Sequence, residues 1–482
     1  MPAPWTATGD ELHASLISRR RFLAGASAGM LALAAPRPAR AFAGAPAAIG
    51  PAPKARNLIF FVVDGMGAGT PALAEYYQRY TAGTGTNWSK LSAEPDIRRS
   101  LQSTHSADGP VTDSAAASSA WSTGIKHANG SLCITPEGHH AEPFLLRAKR
   151  GGKAVGVVTT TTVTHATPGG FYANCLARDD EADIAGQLLE RPVDLALGGA
   201  AKQFSDAQLA GVNGLRVLRG RADITATNTR GADRPSRVLG LLAPGHCPFA
   251  LEARPEHPTL ADCARFGLEY LAGATSGDGF VLQIEAGRVD HAAHNNDAGA
   301  LLHEQLAADR ALAVAVEFAR ATPGTLLIVT TDHATANPSS TFYGREGLRA
   351  MKRLAGVRGS LDGVFQRFDP RAHEGRPEPL AADLAGLLKD ATGRTLADSE
   401  LALLKRFLAG ERVHPTMACN TPVGVVGGLL ANHFGVAFLS PNHTADHVEL
   451  FALGPGAEDL PPFIDNAQLH HWCVRQLGLP TT

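Results

Sequence analysis

Apolar runs of strand length recur along this chain, and several stop at residues able to hold a metal ion. The run 57–63 stops at Asp64, 280–284 at Glu285, and 326–330 just before Asp332 and His333. The run 154–160 leads to His165 and Thr167, and 436–439 leads to His443. A further strand candidate, 193–197, ends in Gly198 and Gly199. Between strands lie helical patterns. Positions 298–320 carry Leu301, Leu302, Leu306, Leu312 and Val316 at roughly helical spacing, and 421–433 is apolar and glycine-rich, as in a buried helix. Apolar strands alternating with helices predict an α/β fold, a mainly parallel central sheet with helices on both faces. Ligands of open α/β sheets gather beyond the carboxyl ends of the strands, so the residues that end these runs are expected to converge. Residues 345–412 break the alternation. They read as a mostly helical insertion without strand-end acids, an accessory cap or partner surface.

The first 56 residues follow a different pattern. Ser18-Arg19-Arg20-Arg21-Phe22-Leu23, followed by an Ala/Leu/Gly run, is a twin-arginine export signal. Ala39-Arg40-Ala41 offers a small-x-small cleavage site, with Ala41-Phe42-Ala43 as a second choice. Residues 1–41 are thus expected to be a signal peptide, 42–56 a linker, and 57–482 the folded domain containing the insertion. The apolar stretch is far shorter than the ~20 residues of a spanning helix, so removal is expected rather than stable membrane anchorage. The destination would be the periplasm or the exterior. Gly25-Ala26-Ser27-Ala28-Gly29 matches a nucleophile-elbow pattern, but its place in the leader, outside any strand–turn–helix, disqualifies it.

Composition adds exclusions. With 44% hydrophobic and 19% charged residues among 482, the chain is no disordered polymer. Its formal charge of −2 becomes −5 once the five arginines and two acids of residues 1–41 are gone, so no nucleic acid or anionic membrane partner is expected. Six cysteines at wide, irregular spacings permit disulfides but contain no CxxC, which disfavours thiolate-bound zinc.

The candidate chemistry is an oxygen- and imidazole-rich set with one serine among it. A carboxylate such as Asp64, at the end of so apolar a strand, is costly to bury unpaired; it is either a metal ligand or a helix cap. Asp290 and His294 stand four residues apart, so on a helix both can grip one ion. Glu285, Asp332 and His333 join them as ligand candidates, while His443 reads equally well as a loop histidine. Ser114 follows Thr112 and Asp113, either of which can cap a helix, placing the hydroxyl where backbone N–H groups favour phosphate. A plain capping serine is the alternative. Arg178 alone reads as a surface residue.

The ordered series Asp64-Gly-Met-Gly, Thr112-Asp-Ser-Ala-Ala, His165-Ala-Thr-Pro, Glu285-x-Gly-Arg-x-Asp-His-x-x-His294, Thr330-x-Asp-His333 and the late His443-Thr resembles the alkaline phosphatase family. The resemblance runs from about residue 57 to 455 apart from the insertion. It implies hydrolysis of small-molecule phosphate monoesters at alkaline pH through a phosphoserine on Ser114. It implies two zinc ions, one held by Asp290, His294 and His443, the other by Asp64, Asp332 and His333. It further implies one magnesium held by Asp64, Thr167 and Glu285. Arg178 matches the family's phosphate-clamping arginine and Asp113 the acid that orients it. His165 and His291 resemble the His/His type among members, touching the magnesium shell or phosphate through water. Homodimerisation is compatible with the likeness but not specified by it, and Asp/His sets also accept manganese or cobalt. Sulfatases on this scaffold carry a Cys/Ser-x-Pro-x-Arg signature that is missing after Asp113, and diesterases generally lack the Thr167/Glu285 pair. A relative that keeps its metals for stability alone is the third alternative.

Overall fold

The computed structural model describes residues 54–481 except 275–276 and 374. The export signal, the Gly25–Gly29 pattern and most of the linker lie outside the described residues.

Among the described residues ten strands form one sheet. In chain order they are β1 (Asn57–Val62), β2 (Arg98–Ser103), β3 (Ala154–Thr162), β4 (Leu195–Gly199), β5 (Leu215–Leu218), β6 (Arg237–Leu241), β7 (Phe280–Glu285) and β8 (Thr325–Thr330). Four two-residue strands follow outside that sheet: β9 (Ala334–Thr335), β10 (Ser339–Ser340), β11 (Val436–Ala437) and β12 (His443–Thr444). Then come β13 (Val448–Leu453) and β14 (Phe463–Asp465), which rejoin the sheet. The spatial order is β14-β2-β13-β8-β1-β7-β3-β4-β6-β5, parallel except for β13, which runs antiparallel to both β8 and β2. The mainly parallel central sheet expected from the run pattern is therefore present.

Alternation along β1 explains why its run is continuously apolar. Ile59, Phe61 and Val63 pack into one core cluster, while Leu58, Phe60 and Val62 pack into another. β8 divides likewise, Leu327 and Val329 against Leu326 and Ile328. Both faces are covered, so every side chain of these strands is buried. The long helix Ala298–Ala321 covers one face, contributing Leu301, Ala308 and Leu312 to the first cluster. Among the described residues no helix is long and apolar enough to cross a membrane.

Two expectations need correction. The run 436–439 is not a strand of the central sheet; only Val436–Ala437 is extended, paired antiparallel with β10. His443 thus does not end a sheet strand. It lies on β12, opposite Thr335 of β9, on a small ladder just beyond the end of β8. The six cysteines are free thiols, five of them buried. Residues 345–412 are mostly helical, with helices Gly344–Leu354, Leu361–Arg367, Pro377–Thr392 and Asp398–Leu408.

Candidate active site

β8, β1, β7 and β3 are consecutive in the sheet and parallel, so their carboxyl ends open side by side. Asp64 stands two residues past β1, Glu285 ends β7, and Asp332 and His333 follow β8. His165 and Thr167 follow β3. The helix Arg288–His294 carries Asp290 and His294 one turn apart, with His294 Nε2 3.3 Å from Asp290 Oδ2. Gly65 lets the first segment meet the last. Its φ is +68°, and a Cβ there would lie 2.4 Å from Asp290 Oδ1, so only glycine fits.

Three ligand groups result, each with one donor atom per residue within 4.8 Å of the others: Asp290, His294 and His443; Asp64, Asp332 and His333; and Asp64, His165 and Glu285. The first two are adjacent, because the His333 and His443 rings stack with centroids 3.7 Å apart. Thr167 joins the third group by donating its hydroxyl to Asp64 Oδ2 at 3.1 Å.

Hydrogen bonds set the histidine tautomers. His294 Nδ1 donates to the Pro441 carbonyl at 2.6 Å, and His443 Nδ1 donates to the Thr112 carbonyl at 2.9 Å. A carbonyl only accepts, so in the neutral rings each Nε2 keeps its lone pair, and these two Nε2 atoms lie 2.9 Å apart. Thr335 donates to Asp290 Oδ1 at 2.5 Å and so accepts from His333 Nδ1 at 3.2 Å. His333 Nε2 then faces Asp332 Oδ2 at 3.1 Å and Asp64 Oδ1 at 3.7 Å. Lone pairs aimed at one another and at carboxylates repel unless a cation lies between them, and outward Nδ1–H bonds are how proteins orient metal-binding imidazoles.

The carboxylates make the same demand. Asp64, Glu285 and Asp332 are fully buried, yet Asp64 Oδ1, Glu285 Oε1 and Asp332 Oδ2 lack hydrogen-bond partners. Such oxygens are costly to bury without a counter-charge. Burial, then the charges of Asp332, Asp290 and Glu285, hold Asp64 well above the usual carboxylate range. Glu285 is pushed up to about 7, mainly by burial and against a hydrogen bond from Thr159. Asp290 goes the other way: burial raises it, but His294, His443 and His333 outweigh burial and leave it well below the ordinary range. This donor set fits divalent cations.

Ser114 opens the helix Ser114–Thr123, and its Oγ lies 3.2 Å from His333 Nε2. Asp113 caps that helix, accepting from Ala116 N at 2.9 Å through Oδ1. Its Oδ2 accepts from Gly130 N at 2.9 Å and from Arg178 Nη1 at 3.2 Å. Arg178 is therefore aimed by the same acid that starts the nucleophile's helix, and its Nη2 donates to His165 Nε2 at 3.1 Å. All thirteen residues singled out in the sequence lie at this end of the sheet.

Comparison with known proteins agrees with this geometry. The sequence model of the alkaline phosphatase family matches residues 55–354. The chain belongs to the alkaline phosphatase family. Alkaline phosphatase 3 of Bacillus subtilis is 27% identical over 434 residues, 86% of this chain and 87% of that one. Streptomycin-6-phosphate phosphatase of Streptomyces griseus is 31% identical over 395 residues, 69% of this chain and 86% of that one. The crystal structure of Thermus thermophilus alkaline phosphatase superposes with a TM-score of 0.80 at 32% identity, covering 89% of this chain and 93% of that one. As an alkaline phosphatase family member, the protein is a metal-dependent phosphatase acting on small-molecule phosphate esters.

One residue of this site was missed in the sequence. His246, on the loop after β6, places its ring 5.7 Å from that of His165 and 4.6 Å from that of His291. Thr162 N donates to its Nδ1 at 3.1 Å. The signal was available, since 237–241 is another apolar strand and His246 follows it within a Pro-Gly-His turn.

Proposed function

We propose that this phosphatase hydrolyses phosphate monoesters at alkaline pH through a covalent phosphoserine on Ser114. One zinc would be held by Asp290, His294 and His443, a second by Asp64, Asp332 and His333, and magnesium by Asp64, Thr167 and Glu285. Cations bound there supply Lewis acidity toward the attacking and leaving oxygens. Ser114 Oγ attacks phosphorus, the ester P–O bond breaks in line, and the alcohol leaves. Water then attacks the phosphoserine from the vacated side, releasing inorganic phosphate and restoring the hydroxyl. Arg178, held by Asp113, grips two equatorial oxygens with its planar fork, where much of the transition-state charge resides. N–H groups at the start of the helix Ser114–Thr123 assist. The observation that carries the reading is Ser114 Oγ at 3.2 Å from His333, beside two ligand trios whose lone pairs call for cations. The twin-arginine leader further supports export to the periplasm or beyond.

The test compares wild type and Ser114→Ala with a nitrophenyl phosphate and its bis-ester. Wild type is expected to prefer the monoester and to form an acid-stable phosphoserine. The variant should keep its metals and lose at least ~10³-fold in turnover. Preference for the diester, or undiminished activity in the variant, refutes the proposal.

A further inference from the structure

The insertion reaches into this site. Helix Leu361–Arg367 is clipped down by its first residues: Leu361 N donates to Asp297 Oδ2 at 2.6 Å, and Ser360 donates from N and Oγ to Glu252 Oε1 at 2.8 and 2.7 Å. Ser360 Oγ in turn caps the helix at Gly363 N, 3.0 Å away. This holds Asp362 with its Oδ2 3.7 Å from Arg288 Nη2. Arg288 is itself immobilised. Its guanidinium lies over the Phe249 ring, 3.7 Å from the centroid, its backbone N donates to Thr160 Oγ1, and the residue is 8% exposed.

Arg288 Nη1 donates to His291 Nδ1 at 2.6 Å. A guanidinium in a protein only donates, so Nδ1 must be the accepting nitrogen, and neutral His291 carries its proton on Nε2. The His291 ring then meets the His165 ring edge-on at 5.5 Å, and His165 Nε2 accepts from Arg178. From the insertion to Arg178 the chain of contacts is unbroken: Asp362, Arg288, His291, His165, Arg178.

We infer that Asp362 and Arg288 are positioning residues for Arg178, so that the insertion sets how tightly the site holds the phosphoryl group. Asp362 fixes the guanidinium, Arg288 fixes the tautomer and tilt of His291, and His291 braces the ring on which Arg178 rests. The inference rests on the reading of Arg178 as the phosphate clamp. It gives the insertion a role that a mere cap or partner surface would not have.

The test uses the mature metal-loaded enzyme with inorganic phosphate as competitive inhibitor and a nitrophenyl phosphate as substrate. Four proteins are compared: wild type, Asp362→Asn, Arg178→Ala and the double variant. Asp362→Asn is nearly isosteric at a half-exposed position, and unchanged melting and metal content verify its fold. It is expected to raise KM and the phosphate inhibition constant about twofold to fivefold, the range for one partly exposed ion pair, with kcat falling less than KM rises. Added to Arg178→Ala, it should have no further effect on phosphate affinity, since its influence passes through that arginine. Arg288→Lys, which keeps the charge but loses the fork, should reproduce the loss and shift the His291 ring ¹⁵N signals. An unchanged inhibition constant in Asp362→Asn, or an equal loss in the Arg178→Ala background, overturns the inference. Failure of Arg178→Ala to weaken phosphate binding refutes the clamp assignment instead.

Discussion

Two histidine groups share this site, and their hydrogen bonds run in opposite directions. His294, His333 and His443 each give their Nδ1–H away, to Pro441, Thr335 and Thr112, and turn Nε2 lone pairs toward carboxylates. His165, His246 and His291 each receive an N–H, from Arg178, Thr162 and Arg288, which occupies a ring lone pair. The first group is prepared to bind cations; in the second, His246 and His291 serve as scaffolding around Arg178, while His165 also stands in the ligand group of Asp64 and Glu285. The side chains are the same, and the neighbours decide the role. Burial, then His246, Arg288 and His165, hold His291 well below the ordinary imidazole range, so it stays neutral.

The largest effect is expected from removing a ring of the cation-facing group. His443→Ala should cut turnover by more than ~100-fold, the upper range for losing an outer-shell partner, and release metal measurable by elemental analysis. Retained metal and modest loss would place His443 with the scaffolding.

Glu285→Gln tests the charge side of the same contrast by stability. The Glu285 carboxyl is held at about 7 in the metal-free fold. Its ordinary value is about 4.3, so between about pH 5 and 7 the folded state keeps a proton that the unfolded chain has released. Metal-free wild type therefore loses stability, relative to the variant, as pH rises through that window. Glu285→Gln, with nothing to titrate, should gain on wild type by roughly 1 kcal/mol per pH unit at most. With divalent cations bound the order should reverse, because the carboxylate gains a counter-charge. Denaturant unfolding at several pH values, with and without chelator, reads both signs; a variant less stable than wild type in both states contradicts the account.

The smallest effect belongs to the scaffolding. His246→Ala should keep its metals and lose about threefold to tenfold in kcat/KM, the scale of one neutral hydrogen-bonded contact. A loss as large as that of His443→Ala would erase the distinction between the groups.

Most of the cation-facing set was legible because an apolar strand that stops abruptly at Asp64, Glu285 or Asp332 is a local pattern. Asp290 and His294 were legible for a similar reason, their spacing of one helical turn. His443 was harder. Its neighbours 436–439 look like a sheet strand, but the chain there forms a two-residue ladder with β10, and His443 reaches the site through pairing with β9. Arg178 carried no local signal, because its partners Asp113 and His165 lie 65 and 13 residues away. Likewise β13 was unread: whether a strand runs parallel or antiparallel depends on where the chain goes next, not on its own residues. The link from Asp362 to Arg288 was hidden for the same reason, since it joins the helix Leu361–Arg367 to a helix 74 residues earlier.

In the proposed site, distant strand ends and loops bring one serine beside two cation sites. The most direct measurement is anomalous diffraction at the zinc edge from crystals of the metal-loaded protein with inorganic phosphate. Two zinc peaks are expected, one among Asp290, His294 and His443 and one among Asp64, Asp332 and His333, with phosphate between Ser114 and Arg178. Peaks missing from those trios, or lying instead among His165, His246 and His291, would contradict it.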